Sequence, residues 1–462
     1  MTTQINKVNE STGQQSQSLG KQLYRMTWPM LIGLLAIMSC QLVDSAFIGQ
    51  LGAQPLAVVG FSIPIYQLVI GIQVGLGIAT TTVIATALGA DKNHYAAQLG
   101  SLVIGLGFVL ILLLCLLLWS QQQPLLSFMG AHEGLHDLAR QYWFPWLISC
   151  WFGAMLYFGY SIFRAHGETF LPGMVMVITS VLNMILDPLF IFTFEMGLAG
   201  AAWATVVSFI IGCVIIYGGI LRRGFIALPN TTQTIRTGLQ RLLAFMAPSM
   251  MSQFIPPLSA MIATTIVAFY GDYAIAAWGL GTRIEFFTII IVLALTMAMP
   301  PIIGRLRGSK DIEQINQLVT LAVKFVLVWQ LTLAVLLALL SDTIGGLLTQ
   351  DDTIVGIVDN YLWLVPISYM GLGVCMLTVS ACSAMGMPNL ALGISALRLM
   401  VCYLPLLWLG STLGDLTGLF IGAMAGNFLA GLISWRVYQK RYLKLRDETQ
   451  VQALRLDRPP IT

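Results

Sequence analysis

Apolar windows of about 20 residues recur along the whole chain, and polar residues gather in the short segments between them. Twelve such windows predict twelve transmembrane helices at about 23–51, 54–88, 96–119, 140–165, 169–194, 198–221, 243–270, 273–303, 314–341, 357–385, 390–412 and 416–438. The first 20 residues are polar and lack the apolar core of a cleavable signal peptide. The pattern predicts an all-α polytopic membrane protein with polar tails at both ends.

The chain repeats itself at an offset of about 219 residues, from Pro29 in the first span to Pro248 in the seventh. Gly167 after span 4 matches Gly386 after span 10 in the same way. Six spans per half is an even number, so we predict a parallel repeat with a pseudo-two-fold axis along the membrane normal. The predicted organisation is a tail (1–22), an N-terminal six-helix bundle (23–221), a linker (222–242), a C-terminal six-helix bundle (243–438) and a tail (439–462). Two such bundles facing each other across a cleft are typical of transporters.

Composition agrees with a membrane protein, because 57% of the residues are hydrophobic and only 9% are charged. Soluble domains carry roughly 25% charged residues. These figures exclude a disordered chain and a nucleic-acid-binding domain, which needs a basic patch. The seven cysteines lie in apolar runs without metal-ligand spacing, so we expect them to pack as small hydrophobic residues.

Basic residues predict the orientation. Counted by alternate loops, 19 Lys and Arg fall on the side of the two termini, and only Arg140 falls on the other side. The positive-inside rule places that basic side in the cytoplasm. We therefore expect both termini to lie in the cytoplasm.

Two acidic residues stand inside spans of the N-terminal half, Asp44 in span 1 and Asp187 in span 5. A carboxylate in hydrocarbon is costly, so it faces a cavity, takes up a proton or binds a cation. Polar side chains of the same and neighbouring spans are candidates to join them: Gln41, Tyr142, Asn183 and Thr205. Such a set is suited to share a proton. It is equally suited to form an all-oxygen Na⁺ site from Asp44, Asn183, Asp187 and Thr205, because hard cations take oxygen ligands.

Two prolines predict mobility or bending near these acids. Pro29 lies on span 1 upstream of Asp44, and Pro188 directly follows Asp187. Proline cannot donate a backbone hydrogen bond, so both positions are candidate hinges. A static kink is the alternative.

Span 8 carries Arg283 and Glu285, which are two residues apart and cannot face each other on a helix. We expect each of them to pair elsewhere in the C-terminal bundle, in a structural role.

These features resemble the multidrug and toxic compound extrusion (MATE) family. The resemblance covers about 25–440 and rests on the 6+6 arrangement, Asp44, the string Asn183…Asp187-Pro188 and the string Gly200-Ala-Ala-Trp-Ala-Thr205. Within the family, the acids in spans 1 and 5 resemble the DinF-like branch. The resemblance implies that Asp44, Asp187, Asn183, Tyr142 and Thr205 bind the coupling cation and the drug. The NorM-like branch uses acids in spans 7 and 10, whereas here Gln253 stands near the first position and Tyr361–Ala384 contains no acid.

The resemblance implies a multidrug efflux antiporter and not an enzyme. It would exchange H⁺, or alternatively Na⁺, for lipophilic and often cationic small molecules. No nucleotide-binding motif is present, so the energy must come from an ion gradient or from the gradient of the solute itself. We expect no cofactor beyond the coupling ion, a functional monomer in the lipid bilayer and no nucleic-acid partner. The alternatives are a lipid or polysaccharide exporter of the same wider superfamily, a major-facilitator transporter, and a passive channel or receptor.

Overall fold

The computed structural model describes residues 2–129, 132–349 and 351–456, and these residues are almost entirely helical. In chain order the elements are α1 (Thr2–Gln50), α2 (Ala53–Gly89), α3 (Asn93–Ser120), α4 (Gln122–Phe128), a 3₁₀ turn (Glu133–Leu135), α5 (His136–Ala165), α6 (Phe170–Pro188), a π-helical turn (Leu189–Thr193), α7 (Gly197–Arg223), α8 (Thr232–Ala268), α9 (Asp272–Thr288), α10 (Ile290–Gly308), α11 (Ile312–Leu339), α12 (Ser341–Leu348), α13 (Asp352–Leu364), a 3₁₀ turn (Pro366–Ser368), α14 (Tyr369–Ala384), α15 (Pro388–Ala396), a second π-helical turn (Leu397–Tyr403) and α16 (Leu404–Leu456).

Eleven helical runs of the described chain are long and apolar enough to cross a membrane. The last of them, Pro388–Glu448, has 61 residues and contains two spans, because its backbone leaves the helical conformation at Gly414 and Asp415. On either side of this break the chain runs back along itself: a Cβ at Gly410 would lie 2.2 Å from the carbonyl oxygen of Gly418. The all-α architecture with twelve spans is therefore confirmed.

Several helices extend beyond their predicted spans. Helix α1 begins at Thr2, α8 at Thr232 instead of about 243, and α16 continues to Leu456. The extensions are polar, and a hydropathy window detects only the apolar part of a helix. The helices α4 and α12 were not predicted, because 7 and 8 residues are too short for such a window.

The helices form two compact units. One, here called the N-terminal unit, is Arg25–Phe254. The other, the C-terminal unit, is Met1–Tyr24 together with Ile255–Thr462. These boundaries fall inside α1 and α8, and the predicted division at a linker 222–242 stays a prediction.

The backbone repeats between the two halves as the sequence does. Gly167 follows α5 with φ 80°, and Gly386 follows α14 with φ 81°. A side chain rarely adopts these angles, so glycine is required at both equivalent turns. The short helices α4 and α12 likewise stand at equivalent places, directly after α3 and α11.

Candidate proton and cation site

Close packing of α1 on α6 positions the acidic residues of the N-terminal unit. A Cβ at Gly173 of α6 would lie 2.4 Å from the carbonyl oxygen of Pro29, and one at Gly33 of α1 would lie 2.6 Å from the sulfur of Met176. Only glycine at these two positions allows the helices to approach so closely. Asp44 and Asp187 follow on these same helices.

The backbone changes directly after the second acid. Helix α6 ends at Pro188, and the chain continues through the π-helical turn Leu189–Thr193. Gly200 of α7 packs against this turn, because its Cβ would lie 2.7 Å from the carbonyl of Phe190. π-Helical turns occur frequently at functional sites, and here the turn brings α7 and Thr205 beside α6.

The amide of Asn183 organises the polar side chains. Its Nδ2 donates to Asp187 Oδ1 and to Thr205 Oγ1, both at 3.2 Å. Its Oδ1 accepts a hydrogen bond of 2.8 Å from the thiol of Cys40 on α1. Thr205 in turn donates to the carbonyl of Ala201 at 3.0 Å. Every polar group of Asn183 has a partner, so the orientation of the amide is fixed.

The carboxyl groups of Asp44 and Asp187 lie within hydrogen-bonding reach of each other. Asp187 is fully buried, and Asp44 is half-buried. Asp44 Oδ1 and Asp187 Oδ2 are buried, and no described donor group hydrogen-bonds to either oxygen. Neither acid forms an ion pair with a described basic residue. Two carboxyl groups in contact without a basic neighbour are arranged to share a proton or to hold a cation.

The remaining predicted residues take different places. Tyr142 of α5 is buried, stacks on Trp146 with ring centroids 6.1 Å apart, and lies near Asp44. Gln41 has an exposed side chain, and its backbone carbonyl accepts a hydrogen bond from Ser45. The structure thus brings Tyr142 to the acids, whereas Gln41 makes no hydrogen bond to them among the described residues.

Pro29 and Pro188 were predicted to act as hinges, and Cys40 was predicted to pack. Helix α1 passes through Pro29 without interruption, so a hinge at Pro29 or Pro188 stays a prediction. Cys40 was expected only to pack as a small hydrophobic residue, and its place in the site was not predicted. It stands four residues before Asp44, and this spacing on one helix face was the available signal.

In the C-terminal unit, the expected ion pairs of Arg283 and Glu285 are absent among the described residues. The carboxyl group of Glu285 instead lies within hydrogen-bonding reach of the Tyr369 hydroxyl and near Arg398, while Arg283 has an exposed side chain. The predicted partners elsewhere in the C-terminal bundle are therefore found for Glu285, in Tyr369 and Arg398, whereas Arg283 forms no ion pair with a described residue.

Comparison with known proteins connects this architecture to a family. The MatE family model matches the chain twice, over residues 29–189 and 248–409. The two matches start at Pro29 and Pro248, the same pair that revealed the repeat in the sequence. They cover most of both halves.

Curated relatives and solved structures agree with that match. The chain is 29% identical to the FAD transporter of Shewanella oneidensis, over 92% of this chain and 95% of that protein. It is 23% identical to the multidrug export protein MepA of Staphylococcus aureus, over 94% and 96% of the two chains. A crystal structure of the Vibrio cholerae MATE transporter VcmN in the bent form is 50% identical, with a TM-score of 0.92, over 94% of this chain and 99% of that chain.

The family model that matches is MatE and not that of the major-facilitator transporters, and the family and its solved members are transporters and not enzymes. The double match of the family model, the twelve spans and the parallel repeat lead to one assignment. The chain belongs to the MatE family of multidrug and toxic compound extrusion transporters.

Proposed function

We propose that the chain is a DinF-like multidrug exporter that exchanges protons for lipophilic, often cationic, small molecules. The observation that carries this proposal is the contact between the carboxyl groups of Asp44 and Asp187, away from any described basic residue. A cationic drug and a proton compete for such a pair, because each neutralises the same charge. Protonation from the outside then favours release of the drug. A bacterial inner membrane, cytoplasmic termini and a functional monomer belong to the same proposal.

The orientation of Asn183 favours H⁺ over Na⁺ as the coupling ion. Sodium bound among Asp187, Asn183 and Thr205 needs oxygen atoms directed at the ion. Asn183 directs its Nδ2 at both Asp187 and Thr205, and its oxygen accepts from Cys40. Binding of Na⁺ in this place requires the amide to turn over and to give up all three hydrogen bonds.

The test is transport of ethidium by purified protein in proteoliposomes, first under an imposed pH gradient and then under an imposed Na⁺ gradient. We expect uphill ethidium transport with the pH gradient and none with the Na⁺ gradient alone. Asp44→Asn is expected to abolish the response, because the neutral amide cannot exchange a proton. Asp272→Asn, an exposed acid in the first turn of α9, is the matched control. Unimpaired transport by Asp44→Asn would refute the role of Asp44.

Export of a flavin dinucleotide is a second candidate, supported by the 29% identity to the FAD transporter of Shewanella oneidensis. FAD carries an anionic pyrophosphate, which two carboxylates repel. The basic residues inside predicted spans all belong to the C-terminal half: Arg283, Lys324 and Arg398. FAD counterflow in the same proteoliposomes separates the two candidates. Exchange of FAD that ethidium does not inhibit favours the flavin.

A further inference from the structure

A second cluster of ionisable side chains lies inside the C-terminal unit, on the helices α9, α13 and α14. The carboxyl group of Glu285 of α9 lies within hydrogen-bonding reach of the hydroxyl of Tyr369 at the start of α14. The hydroxyl oxygens of Tyr369 and Tyr361 of α13 are 2.9 Å apart. Both tyrosine side chains are 1% exposed. One carboxyl and two hydroxyl groups therefore stand in a row from Glu285 to Tyr361, each within hydrogen-bonding reach of the next.

The charges around Glu285 leave its carboxyl group without a direct counter-ion. Arg398 and Tyr403, both in the π-helical turn before α16, face it. The ion pairs of the described residues do not include Arg398, so it stands beyond direct contact with Glu285. Asp359, an acid of the packed helix α13, is bonded instead to Ser341.

Aromatic packing holds the tyrosine pair in place. The ring of Tyr361 meets Phe420 edge to face with centroids 5.3 Å apart and Trp278 in the same manner at 5.9 Å. A Cβ at Gly281 would lie 2.7 Å from that ring, so α9 offers it a fitted recess. Edge-to-face contacts of this kind restrict the ring, and the hydroxyl of Tyr361 therefore has a fixed position.

A helix is interrupted next to Glu285, next to Tyr369 and at the neighbouring Arg398. Helix α9 ends at Thr288, three residues after Glu285, and α10 starts at Ile290. A 3₁₀ turn ending at Ser368 directly precedes Tyr369. The π-helical turn Leu397–Tyr403 contains Arg398 itself. Interrupted helices that converge on an ionisable residue are typical of ion and substrate sites in transporters.

We propose that Glu285 is a second proton-binding group of this transporter, with Tyr369 as its positioning residue. A hydronium ion transfers a proton to the carboxylate, which gives a neutral carboxylic acid and a water molecule. The row of groups serves both states by rotation of the two hydroxyl groups: Tyr369 donates to the carboxylate, and it accepts from the carboxylic acid and donates to Tyr361. The role of Glu285 in transport rests on the proposed proton-coupled function. In that role Glu285 carries one additional proton in each transport cycle.

Infrared difference spectroscopy tests the proton site without any substrate. Purified protein in lipid nanodiscs is titrated from about pH 5 to about pH 9 while the carboxylic-acid C=O band is followed. We expect Glu285→Gln to lose one component of the band that titrates in the wild-type protein, and Asp272→Asn to retain it. Superimposable titrations of Glu285→Gln and wild type would overturn the proposal.

Tyr369→Phe keeps the carboxyl group and removes its hydroxyl partner, so it provides a second test even where Glu285→Gln does not fold. We expect Tyr369→Phe to shift the titration midpoint of the same component. The control is Tyr442→Phe, which removes the hydroxyl that Tyr442 donates to Glu313 at 2.6 Å, and we expect it to leave that midpoint unchanged. An unchanged midpoint in Tyr369→Phe overturns the assignment of Tyr369.

The number of protons moved per ethidium ion tests the role in transport. The pH gradient that just balances a known ethidium gradient is measured in proteoliposomes. We expect the proton-to-ethidium ratio to fall by about one in Glu285→Gln. An unchanged ratio contradicts the role in coupling. If wild-type protein carries no ethidium, the proposed function fails, and the infrared titration still decides whether Glu285 binds a proton.

Discussion

Substitution of Gly173 by alanine tests how helix packing positions the site of the N-terminal unit. The added Cβ lies 2.4 Å from the carbonyl oxygen of Pro29 and 2.7 Å from its carbonyl carbon. Non-bonded contacts of this kind prefer about 3.5 Å, so α1 and α6 must separate locally by about 1 Å. Both neighbouring atoms belong to the backbone and cannot swing away as a flexible side chain can.

The separation reaches the polar cluster about 15 Å further along α6. There the hydrogen bond from Cys40 to Asn183, 2.8 Å long, joins the same two helices and is weakened. Overpacking of this kind costs about 1–3 kcal/mol, which corresponds to a loss of about 5-fold to 150-fold in an equilibrium between conformations. We therefore expect Gly173→Ala to reduce ethidium efflux at least about fivefold and to lower the Tm of the purified protein.

The assay compares Gly173→Ala with Gly218→Ala in α7, where a Cβ meets nothing within 4 Å. Both variants add one methyl group to a helix of the same unit. Ethidium efflux is normalised to the amount of folded protein, and Tm is measured by fluorescence-detected size exclusion. Equal efflux and equal Tm in the two variants refute the role of the α1–α6 contact.

Three further changes follow from the same hydrogen bonds and from the core. Asn183→Ala removes a bond to a carboxyl group, worth about 1.5–3 kcal/mol, so we expect ethidium efflux to fall at least about tenfold; efflux within twofold of wild type contradicts this. Cys40→Ala is expected to reduce efflux while Cys40→Ser, which keeps a donor, retains it; equal efflux in both variants removes Cys40 from the site. Trp143→Phe loses a buried bond of 3.0 Å to Ser62 and is expected to lower Tm, with the response of transport to the pH gradient unchanged; an unchanged Tm is the contrary result.

Much of the fold follows from the sequence for a physical reason. A bilayer demands apolar helices of about 20 residues, so spans appear directly in the hydropathy pattern. The repeat was readable at Gly167 and Gly386, because a positive φ demands the same residue in both halves. Helix ends were less predictable, since polar turns such as the start of α8 at Thr232 carry no hydropathy signal.

The site was predictable in its charges and less so in its contacts. Asp44 and Asp187 were recognisable because burial of a carboxylate in hydrocarbon is costly and therefore indicates a function. Cys40 did not stand out, because a thiol also packs well in apolar surroundings. The environment of Glu285 could not be predicted from the sequence, because its neighbours Tyr369 and Arg398 come from segments far along the chain. Only the fold brings them together.

Proton release on drug binding tests the central claim most directly, because it asks whether the pair Asp44 and Asp187 holds a proton or a drug but not both. Ethidium is added to purified protein in weakly buffered solution, and released protons are measured with a pH indicator. The account predicts release of about one proton per bound ethidium in wild type and none from this pair in the double variant Asp44→Asn, Asp187→Asn. Equal proton release per bound ethidium in both proteins would contradict it.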